Sequence, residues 1–191
     1  MIYCISDNHF FHQNIIKYCD RPFGSVTEMN NYMVARWNDT VLPGDEVIFV
    51  GDFAIGWDKE NFKTKRDCYR NLLSKLNGTK LLVRGNHDHE TIDFYKDVGF
   101  ADVKDSIILG NILVIHYPLK VDKEYMKPEM VEYIERVIKT CKTGSITKVI
   151  HGHIHNNSTV QNEFKHFNVS AEVLDYIPKD LESIIGVLNE R

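Results

Sequence analysis

The stretch Leu81-Leu82-Val83-Arg84-Gly85-Asn86-His87-Asp88 decides the fold class of this chain. Its apolar first half predicts a short buried strand over residues 80–83, and its second half changes abruptly to Gly, Asn, His and Asp. A buried strand that ends in ligand-type side chains places chemistry at the carboxyl edge of a sheet, where open α/β sheets carry their sites. The stretch therefore predicts an α/β protein with a functional site at its strand ends.

Further segments repeat this pattern of an apolar strand followed by ligand-type side chains. We predict these strands at residues 1–6, 47–50, 111–116 and 147–150, with another strand at 163–169. The side chains at four of these strand ends are Asp7 and His9, then Asp52, then His116, and finally His153 and His155. Together with Asn86, His87 and Asp88, five strand ends offer nitrogen and oxygen ligands, with no cysteine among them.

The segments between the strands predict helices and turns. Helical patterns cover about residues 13–19, 59–76, 90–97 and 128–141, and Asp180 is the predicted cap of a last helix. Ser25-Val26-Thr27-Glu28 has the form of a capping box, and Asp58 is a candidate N-cap for the helix at 59–76. Residues 102–109 and 111–116 predict a hairpin with Gly110-Asn111 in a type II′ turn.

Length and composition indicate one globular domain over residues 1–191. No apolar run approaches the roughly 20 residues that a spanning helix needs, and the first strand leads directly into Asp7, so we expect a cytoplasmic protein without a membrane partner. The four cysteines are scattered and are expected to be reduced. The net charge of −4 speaks against a stable nucleic-acid complex, which requires a basic surface. The oligomeric state is left open.

Taken singly, the strand-end motifs have ordinary explanations. Asp-x-His and Gly-Asp pairs are typical of loops that bond to their own backbone, and a single histidine such as His116 is typically a packed core residue. His153-Ile154-His155 is a stronger signal, because two rings on the same side of an extended segment can hold neighbouring ions. Each motif alone is therefore compatible with a purely structural part.

Together the motifs predict a site for two divalent ions. One ion does not require seven or eight ligands, whereas two adjacent ions do, particularly when one carboxylate bridges them. Such pairs, about 3.5–4 Å apart, suit in-line displacement at phosphorus by hydroxide formed from a bridging water. Imidazole and carboxylate ligands without thiolate favour Mn²⁺, with Fe or Zn²⁺ as alternatives.

The order of these motifs resembles the calcineurin-like metallophosphoesterase superfamily over residues 7–155. The motifs stand here as Asp7-Asn8-His9, Gly51-Asp52, Gly85-Asn86-His87-Asp88, His116 and Gly152-His153-Ile154-His155. The segments at 14–19, 21–23 and 168–170 also resemble a small, uncapped, single-domain subgroup. The resemblance implies a four-layer α/β/β/α sandwich with a dinuclear metal site at the strand ends.

The resemblance also implies a part for each site residue. Asp7, His9, Asp52 and His155 would bind the first ion, and Asp52, Asn86, His116 and His153 the second, with Asp52 as the bridge. His87 would be the general acid that protonates the leaving oxygen, and Asp88 would orient the His87 ring. The alternative for Asp88 is an N-cap of the helix that follows it.

Six further residues have open assignments. Arg21, Arg84 and His12 are candidate substrate contacts, with Arg21 exposed at its turn. The alternative for Arg84 is an ion pair with an acidic residue, and the alternative for His12 is an ordinary surface position. We expect His166, like His89, to be exposed and His151 to point away from the metals.

The predicted activity is metal-dependent hydrolysis of a small phosphate ester. We favour a phosphodiesterase acting on nucleotide-like substrates, because the chain has no room for a cap domain that would enclose a monoester. The alternatives are a phosphomonoesterase, a nuclease of the same fold, or an inert binding scaffold. The scaffold is disfavoured because every ligand and acid position of the motifs is occupied by the expected residue type.

Overall fold

The computed structural model describes residues 1–120, 128–157, 160 and 162–190. The strands are β1 (Ile2–Ile5), β2 (Glu46–Phe49), β3 (Thr79–Val83), β4 (Asp102–Lys104), β5 (Ser106–Leu109), β6 (Ile112–Ile115), β7 (Lys148–His151), β8 (Lys165–Asn168) and β9 (Lys179–Asp180). The helices are α1 (Ile15–Tyr18), α2 (Val26–Thr40), α3 (Lys65–Lys75), α4 (Ile92–Val98), α5 (Pro128–Thr143) and α6 (Leu181–Glu190). No helix within the described residues is long and apolar enough to cross a membrane.

Two sheets carry these strands. The first has the order β4-β3-β2-β1-β9, in which β1 to β4 are parallel and β9 is antiparallel to β1. The second has the order β5-β6-β7-β8, in which β6, β7 and β8 are parallel and β5 is antiparallel to β6. Because parallel strands end at a common edge, the loops after β1, β2 and β3 leave the first sheet together, and those after β6, β7 and β8 leave the second together.

Alternation along the strands of the first sheet builds a core on each of its faces. Val47 and Phe49 of β2 pack into a core that includes Met33 of α2, Tyr69 of α3 and Tyr95 of α4. The intervening β2 residue, Ile48, packs into a second core that is shared with the other sheet. Helices therefore cover one face of this sheet, and the second sheet covers the other.

The second sheet continues the same layering. Ile112 and Val114 of β6 face the first sheet, whereas Leu113 and Ile115 pack into a third core that includes Cys141 of α5. Helix α6 inserts its apolar stripe into the core between the sheets. The order of layers is helices, sheet, sheet, helix, which confirms the predicted four-layer α/β/β/α sandwich.

Several local signals act as predicted. The Ser25 hydroxyl caps α2 by accepting a hydrogen bond from the Glu28 amide at 3.1 Å. Leu109 and Ile112 pair across the turn, in which Gly110 has a φ of 61°, as a type II′ turn requires at its first central position. The Asp180 carboxylate accepts a hydrogen bond from the Ser183 amide at 2.8 Å and so caps α6.

The helix predicted at 59–76 is wrong in its first turn and a half. Helix α3 begins at Lys65, because Thr64 accepts a hydrogen bond from the Asp67 amide and in turn donates to the Asp67 carboxylate. Asp58 instead stabilises a turn, because its carboxylate accepts hydrogen bonds from the amides of Glu60 and Asn61. Two competing caps lie six residues apart, and the one with the reciprocal partner begins the helix.

The first arm of the predicted hairpin at 102–109 is divided between the two sheets. Residues 102–104 form β4 at the edge of the first sheet, whereas residues 106–109 form β5 at the edge of the second. The chain crosses between sheets at Asp105, and the sequence pattern does not distinguish this crossing from one continuous strand.

Candidate metal centre

The site forms where the carboxyl edges of the two sheets meet. A parallel bridge between Ser6 and Ser170 joins the segments that follow β1 and β8. The Ser6 amide donates to Val169 O at 2.8 Å, and the Ala171 amide donates to Ser6 O at 2.9 Å. This junction brings the loops that follow β1, β2 and β3 against those that follow β6 and β7.

Asp52 lies at the centre of the site. Its Oδ2 is 3.6 Å from Nε2 of His9 on one side and 3.5 Å from Nε2 of His116 on the other. Its second oxygen, Oδ1, accepts a hydrogen bond from the His87 amide at 2.9 Å, which holds the carboxylate in orientation. One carboxylate oxygen therefore faces two separate groups of donors.

The first group consists of Asp7, His9 and His155, whose donor atoms all lie within 4.8 Å of one another. Asp7 Oδ1 is 3.9 Å from Nε2 of both histidines. Asp7 Oδ1 and both ring nitrogens of His9 are buried and have no hydrogen-bond partner among the described residues. Since unpartnered buried polar atoms are costly, their convergence fits a bound cation that would satisfy them.

The second group surrounds Asn86. Its Oδ1 is 3.1 Å from Nε2 of His116 and 2.9 Å from Nδ1 of His153. The Nδ1–H of His116 donates to Val50 O at 2.8 Å, so Nε2 is the ring nitrogen that faces the site and that would bind an ion after losing its proton. The donor set of imidazole, amide and carboxylate oxygen again fits a divalent ion.

The electrostatics of the site also fit cations. Burial lowers the pKa of His9 to about 3 and that of His153 to about 4, so both rings are in the neutral form that binds metals. Burial alone would lower the pKa of His116, but the Asp52 carboxylate more than offsets this and raises it to about 9. Burial would raise the pKa of Asp52, yet the charge on His116 holds it well below its usual range. Buried carboxylates here stabilise positive charge.

Strained backbone aims these ligands. Left-handed φ values occur at Asp7 (55°), His9 (49°), Asp52 (55°), His153 (71°) and His155 (49°). Side chains other than glycine rarely adopt this conformation, and such strain is concentrated at functional sites. The strand ends turn sharply at these residues, so that side chains from neighbouring strands point to a common centre.

Three motif glycines allow the loops to approach one another closely. A Cβ atom at Gly51 would overlap the His116 ring, one at Gly85 would overlap the Asp52 carboxylate, and one at Gly152 would overlap Ser6. The glycines of Gly-Asp, Gly-Asn-His-Asp and Gly-His-x-His are therefore required by packing around the ligands, in addition to any freedom of their backbone.

Asp7 is held by residues that follow β7 and β8. Its Oδ2 accepts hydrogen bonds from Ser170 Oγ and the His153 amide, both at 2.9 Å, and from Ser6 Oγ. Ser170 is positioned in turn by its backbone amide, which donates to Asn168 Oδ1 at 2.9 Å. With Oδ2 engaged in this way, Oδ1 is the oxygen left to face the first group.

Comparison with known proteins identifies the family. Residues 1–111 match the family model for calcineurin-like phosphoesterases. The chain belongs to this family. Membership supports metal-dependent hydrolysis of phosphoesters, and the predicted family is confirmed.

Relatives of this calcineurin-like phosphoesterase extend over its full length. The uncharacterized protein MJ1445 of Methanocaldococcus jannaschii is 34% identical, over 99% of this chain and 92% of its own. The solved structure of AQ665 from Aquifex aeolicus, a protein of unknown function, is 26% identical with a TM-score of 0.73 over 98% of both chains. The nuclease MPE of Pseudomonas putida, at 16% identity and a TM-score of 0.45 over 81% of this chain and 61% of its own, is too distant to inform function.

Arg21 was expected to be exposed, and this is wrong. The residue is 4% exposed, and its guanidinium donates to the carbonyls of Asp7 and Asn8 and to Glu172 Oε1. Proline and glycine near Arg21 predict a turn, but a turn residue can point inwards when acceptors lie beneath it. We therefore assign Arg21 to holding the Asp7 loop rather than to substrate.

Glu172 contacts the candidate ligand His155, and the sequence motifs missed it. Its Oε1 accepts a hydrogen bond from Nδ1 of His155 at 3.0 Å and ion-pairs with Arg21 at 2.6 Å. A carboxylate on the far nitrogen of a ligating histidine fixes the ring and raises its basicity. The segment at 168–170, which resembles the small uncapped subgroup, ends just before Glu172. No spacing in the sequence links this glutamate to His155.

His87 lies at the opening of the phosphoesterase site. Its ring is 42% exposed, with Nε2 3.9 Å from Asp52 Oδ2 and the ring centroid 5.4 Å from that of His9. From this position the His87 ring could contact a substrate bound at the metal centre. Its role as general acid remains a prediction.

Asp88 is buried beneath the loop. Its carboxylate accepts hydrogen bonds from the amides of Asp52, Phe53 and Gly85. Burial, with the Asp52 charge next, raises its pKa to about 6. The alternative of a helix cap is wrong, because Thr91 caps α4. The described hydrogen bonds of Asp88 connect the loops that follow β2 and β3. Its part in orienting the His87 ring stays a prediction.

The other sequence assignments divide as follows. His12 is half-buried with its ring 5.4 Å from that of His9, so it lies at the rim of the site. Arg84 pairs with Asp105 at 2.6 Å, as one of its alternatives expected. His89 is exposed as expected, whereas the prediction for His166 is wrong, because its ring is buried against His151.

The cavities on the surface of the described residues include two of different size. The larger, about 510 Å³, lies between α2, α3 and the segment at 57–62, and none of the candidate ligands lines it. The smaller, about 320 Å³, includes Gly85, Asp88 and Tyr117 in its wall and adjoins the metal centre.

Proposed function

We propose that this protein is a dinuclear metal-dependent phosphodiesterase that acts on small nucleotide-like esters. The observation that carries the proposal is the position of Asp52 Oδ2, between Nε2 of His9 at 3.6 Å and Nε2 of His116 at 3.5 Å. A single carboxylate oxygen between two groups of donors is the arrangement that a bridging ligand of two adjacent ions requires.

The proposed ions are two divalent cations, with Mn²⁺ preferred and Fe or Zn²⁺ as alternatives. Asp7, His9, Asp52 and His155 would hold one, and Asp52, Asn86, His116 and His153 the other. When bound, such ions supply electrophilic stabilisation of the phosphoryl oxygens and an activated water for attack on phosphorus. Because Asn86 is neutral, the protein contributes few negative charges to the centre.

His87 is the proposed general acid. Its ring stands at the exposed side of the centre, where a leaving oxygen would meet it, and the hydrogen bond between the His87 amide and Asp52 Oδ1 ties its loop to the bridging residue. A proton donated from the ring neutralises the alkoxide as the bond to phosphorus breaks.

The preference for diesters rests on the open site. The solvent-exposed ring of His87 indicates that a substituent on the phosphate can extend outward, which suits a diester with two organic groups. Monoester hydrolysis and nuclease activity are the alternatives within the same chemistry. The cytoplasmic location and the absence of a stable nucleic-acid complex stay predictions of the sequence.

The first test compares a diester with a monoester. Metal-stripped protein supplied with Mn²⁺ should hydrolyse bis-p-nitrophenyl phosphate with a higher kcat/KM than p-nitrophenyl phosphate. The control is the same protein with chelator, which should be inactive towards both. A preference for the monoester would make the protein a phosphatase, and hydrolysis of neither ester with two bound ions would favour the inert scaffold.

Replacing His87 with Ala should separate protonation from metal binding. We expect two ions still to bind, because the ring is not a proposed ligand, while kcat/KM for a phenyl diester falls by roughly 10²- to 10⁴-fold. The loss should be much smaller for the matching p-nitrophenyl diester, whose leaving group needs no proton. The neighbouring exposed His89→Ala is the matched control and should leave both rates unchanged. Equal losses on the two esters would exclude the general-acid role.

A further inference from the structure

The smaller cavity, beside the metal centre, has walls from three parts of the fold. Arg84 and Gly85 follow β3, Tyr117 follows β6, and Met130 and Tyr133 belong to the first turns of α5. Its volume of about 320 Å³ is at the lower end of the range for small-molecule sites. The cavity is therefore large enough for one ring system rather than for a polymer.

The cavity is continuous with the side of the centre that holds the second group of donors. The Tyr117 ring centroid is 4.9 Å from that of His153 and 5.0 Å from that of His116. Gly85 directly precedes Asn86 in the chain and packs against Asp52. A group attached to a phosphate at the centre would enter the cavity within a few bonds.

The walls of the cavity suit a flat aromatic ring. Tyr117 and Tyr133 stand edge to face with their centroids 6.2 Å apart, and Met130 contributes a polarisable thioether. Aromatic side chains stack on nucleobases without regard to base identity. The two tyrosines and Met130 therefore provide the apolar contacts that a base requires.

Arg84 adds an oriented polar group to these walls. Its Nε and Nη2 donate to Asp105 Oδ1 at 3.0 and 2.6 Å, which fixes the plane of the guanidinium and leaves Nη1 outside this pair. A free guanidinium edge can donate to ring nitrogens and carbonyl oxygens of a base. Because Asp105 neutralises Arg84 and Asp88 is also in the wall, the cavity has no excess positive charge for a second phosphate.

We propose that this cavity binds the nucleobase on the non-leaving side of the substrate, with Tyr133 and Arg84 as its specificity-determining residues. The inference rests on the proposed phosphodiesterase function and assigns its substrate class. The base belongs to the non-leaving side because the ring of the proposed general acid, His87, lies near His9 and does not line the cavity.

The test uses two esters with the same leaving group. Thymidine 5′-(p-nitrophenyl phosphate) carries a base, and methyl p-nitrophenyl phosphate does not. The Mn²⁺-loaded wild-type protein should prefer the thymidine ester, and Tyr133→Ala and Arg84→Ala should each lower that preference by roughly 5- to 100-fold. Tyr133→Phe should retain the preference, since it keeps the ring. Rates for the methyl ester should stay close to wild type, which shows that the variants fold.

Tyr18→Ala is the matched control on the opposite rim. Tyr18 is 73% exposed, with its ring 6.1 Å from that of His12. Loss of the preference in Tyr18→Ala but not in Tyr133→Ala would place the base at that rim and overturn the proposal. Equal wild-type rates for the two esters would overturn it as well.

Calorimetry separates this inference from the proposed function. Thymidine 5′-monophosphate should bind the Mn²⁺-loaded protein more tightly than methyl phosphate does, and Tyr133→Ala should remove the difference. If neither ester were hydrolysed, the proposed function would fail while this measurement still decided the subsite. Equal affinities for the two phosphates in the wild-type protein would refute the subsite.

Discussion

Asp52→Asn should release both metal ions and reduce hydrolysis of phosphate diesters below detection. The substitution removes a negative charge that lies 3.6 Å from His9 and 3.5 Å from His116. Depending on the rotamer of the new amide, either a neutral oxygen or an NH₂ group would then face the proposed ions. The amide of residue 52 would still donate to the Asp88 carboxylate, so the loop should keep its path. Metal content per chain and kcat/KM for bis-p-nitrophenyl phosphate measure the two effects.

Asp39→Asn is the matched control for this substitution, because Asp39 is an exposed carboxylate on α2 away from the ligands. It should bind two ions and turn over at the wild-type rate. Full metal content with retained activity in Asp52→Asn would remove the bridging assignment. Loss of only one ion would reduce Asp52 to a ligand of a single site.

Gly85→Ala should cost the protein both its activity and part of its stability. The added Cβ would overlap the Asp52 carboxylate and stand 2.6 Å from the Asp52 amide nitrogen, and this backbone atom cannot move away by a change of rotamer. Overpacking of this kind costs about 1–3 kcal/mol of unfolding free energy. The displaced carboxylate should lose the ions, so turnover should fall as far as in Asp52→Asn.

Urea unfolding and metal analysis measure these two consequences together. Gly44→Ala is the matched control, because a Cβ there meets no atom within 4 Å, and its unfolding free energy should change by no more than about 0.5 kcal/mol. Wild-type stability and two bound ions in Gly85→Ala would show that the β2 and β3 loops can separate without harm. The close packing of the motif glycines would then have no functional meaning.

Recognition of the site from the sequence depended on the order of motifs rather than on any one of them. His116 illustrates this, since a lone histidine after an apolar strand is ordinary, yet its Nε2 lies 3.5 Å from Asp52 Oδ2. The strands at 47–50 and 80–83 were predictable because apolar residues with β-branched neighbours favour buried strands. Parallel strands then align their ends, which brings Asp7, Asp52 and Asn86 together without further information.

The parts that could not be predicted depend on partners distant in the sequence. Glu172 belongs to the site because its carboxylate accepts hydrogen bonds from His155 and Arg21. These residues lie 17 and 151 positions away in the sequence. Arg21 is buried only because the carbonyls of the β1 loop lie beneath it. The break at Asp105 follows from which sheet each half of the segment joins.

By itself, the sequence determined the fold class, the family and the set of strand-end side chains. These follow from hydrophobic period and from motif order, which are properties of consecutive residues. The tertiary structure alone decided which oxygen of Asp52 faces both donor groups, that Asp88 supports the loops through backbone amides, and that a cavity with Tyr117 and Tyr133 adjoins the centre. The physical reason is that hydrogen-bond direction, left-handed turns and cavities are fixed only when the two sheets pack face to face and their carboxyl edges meet.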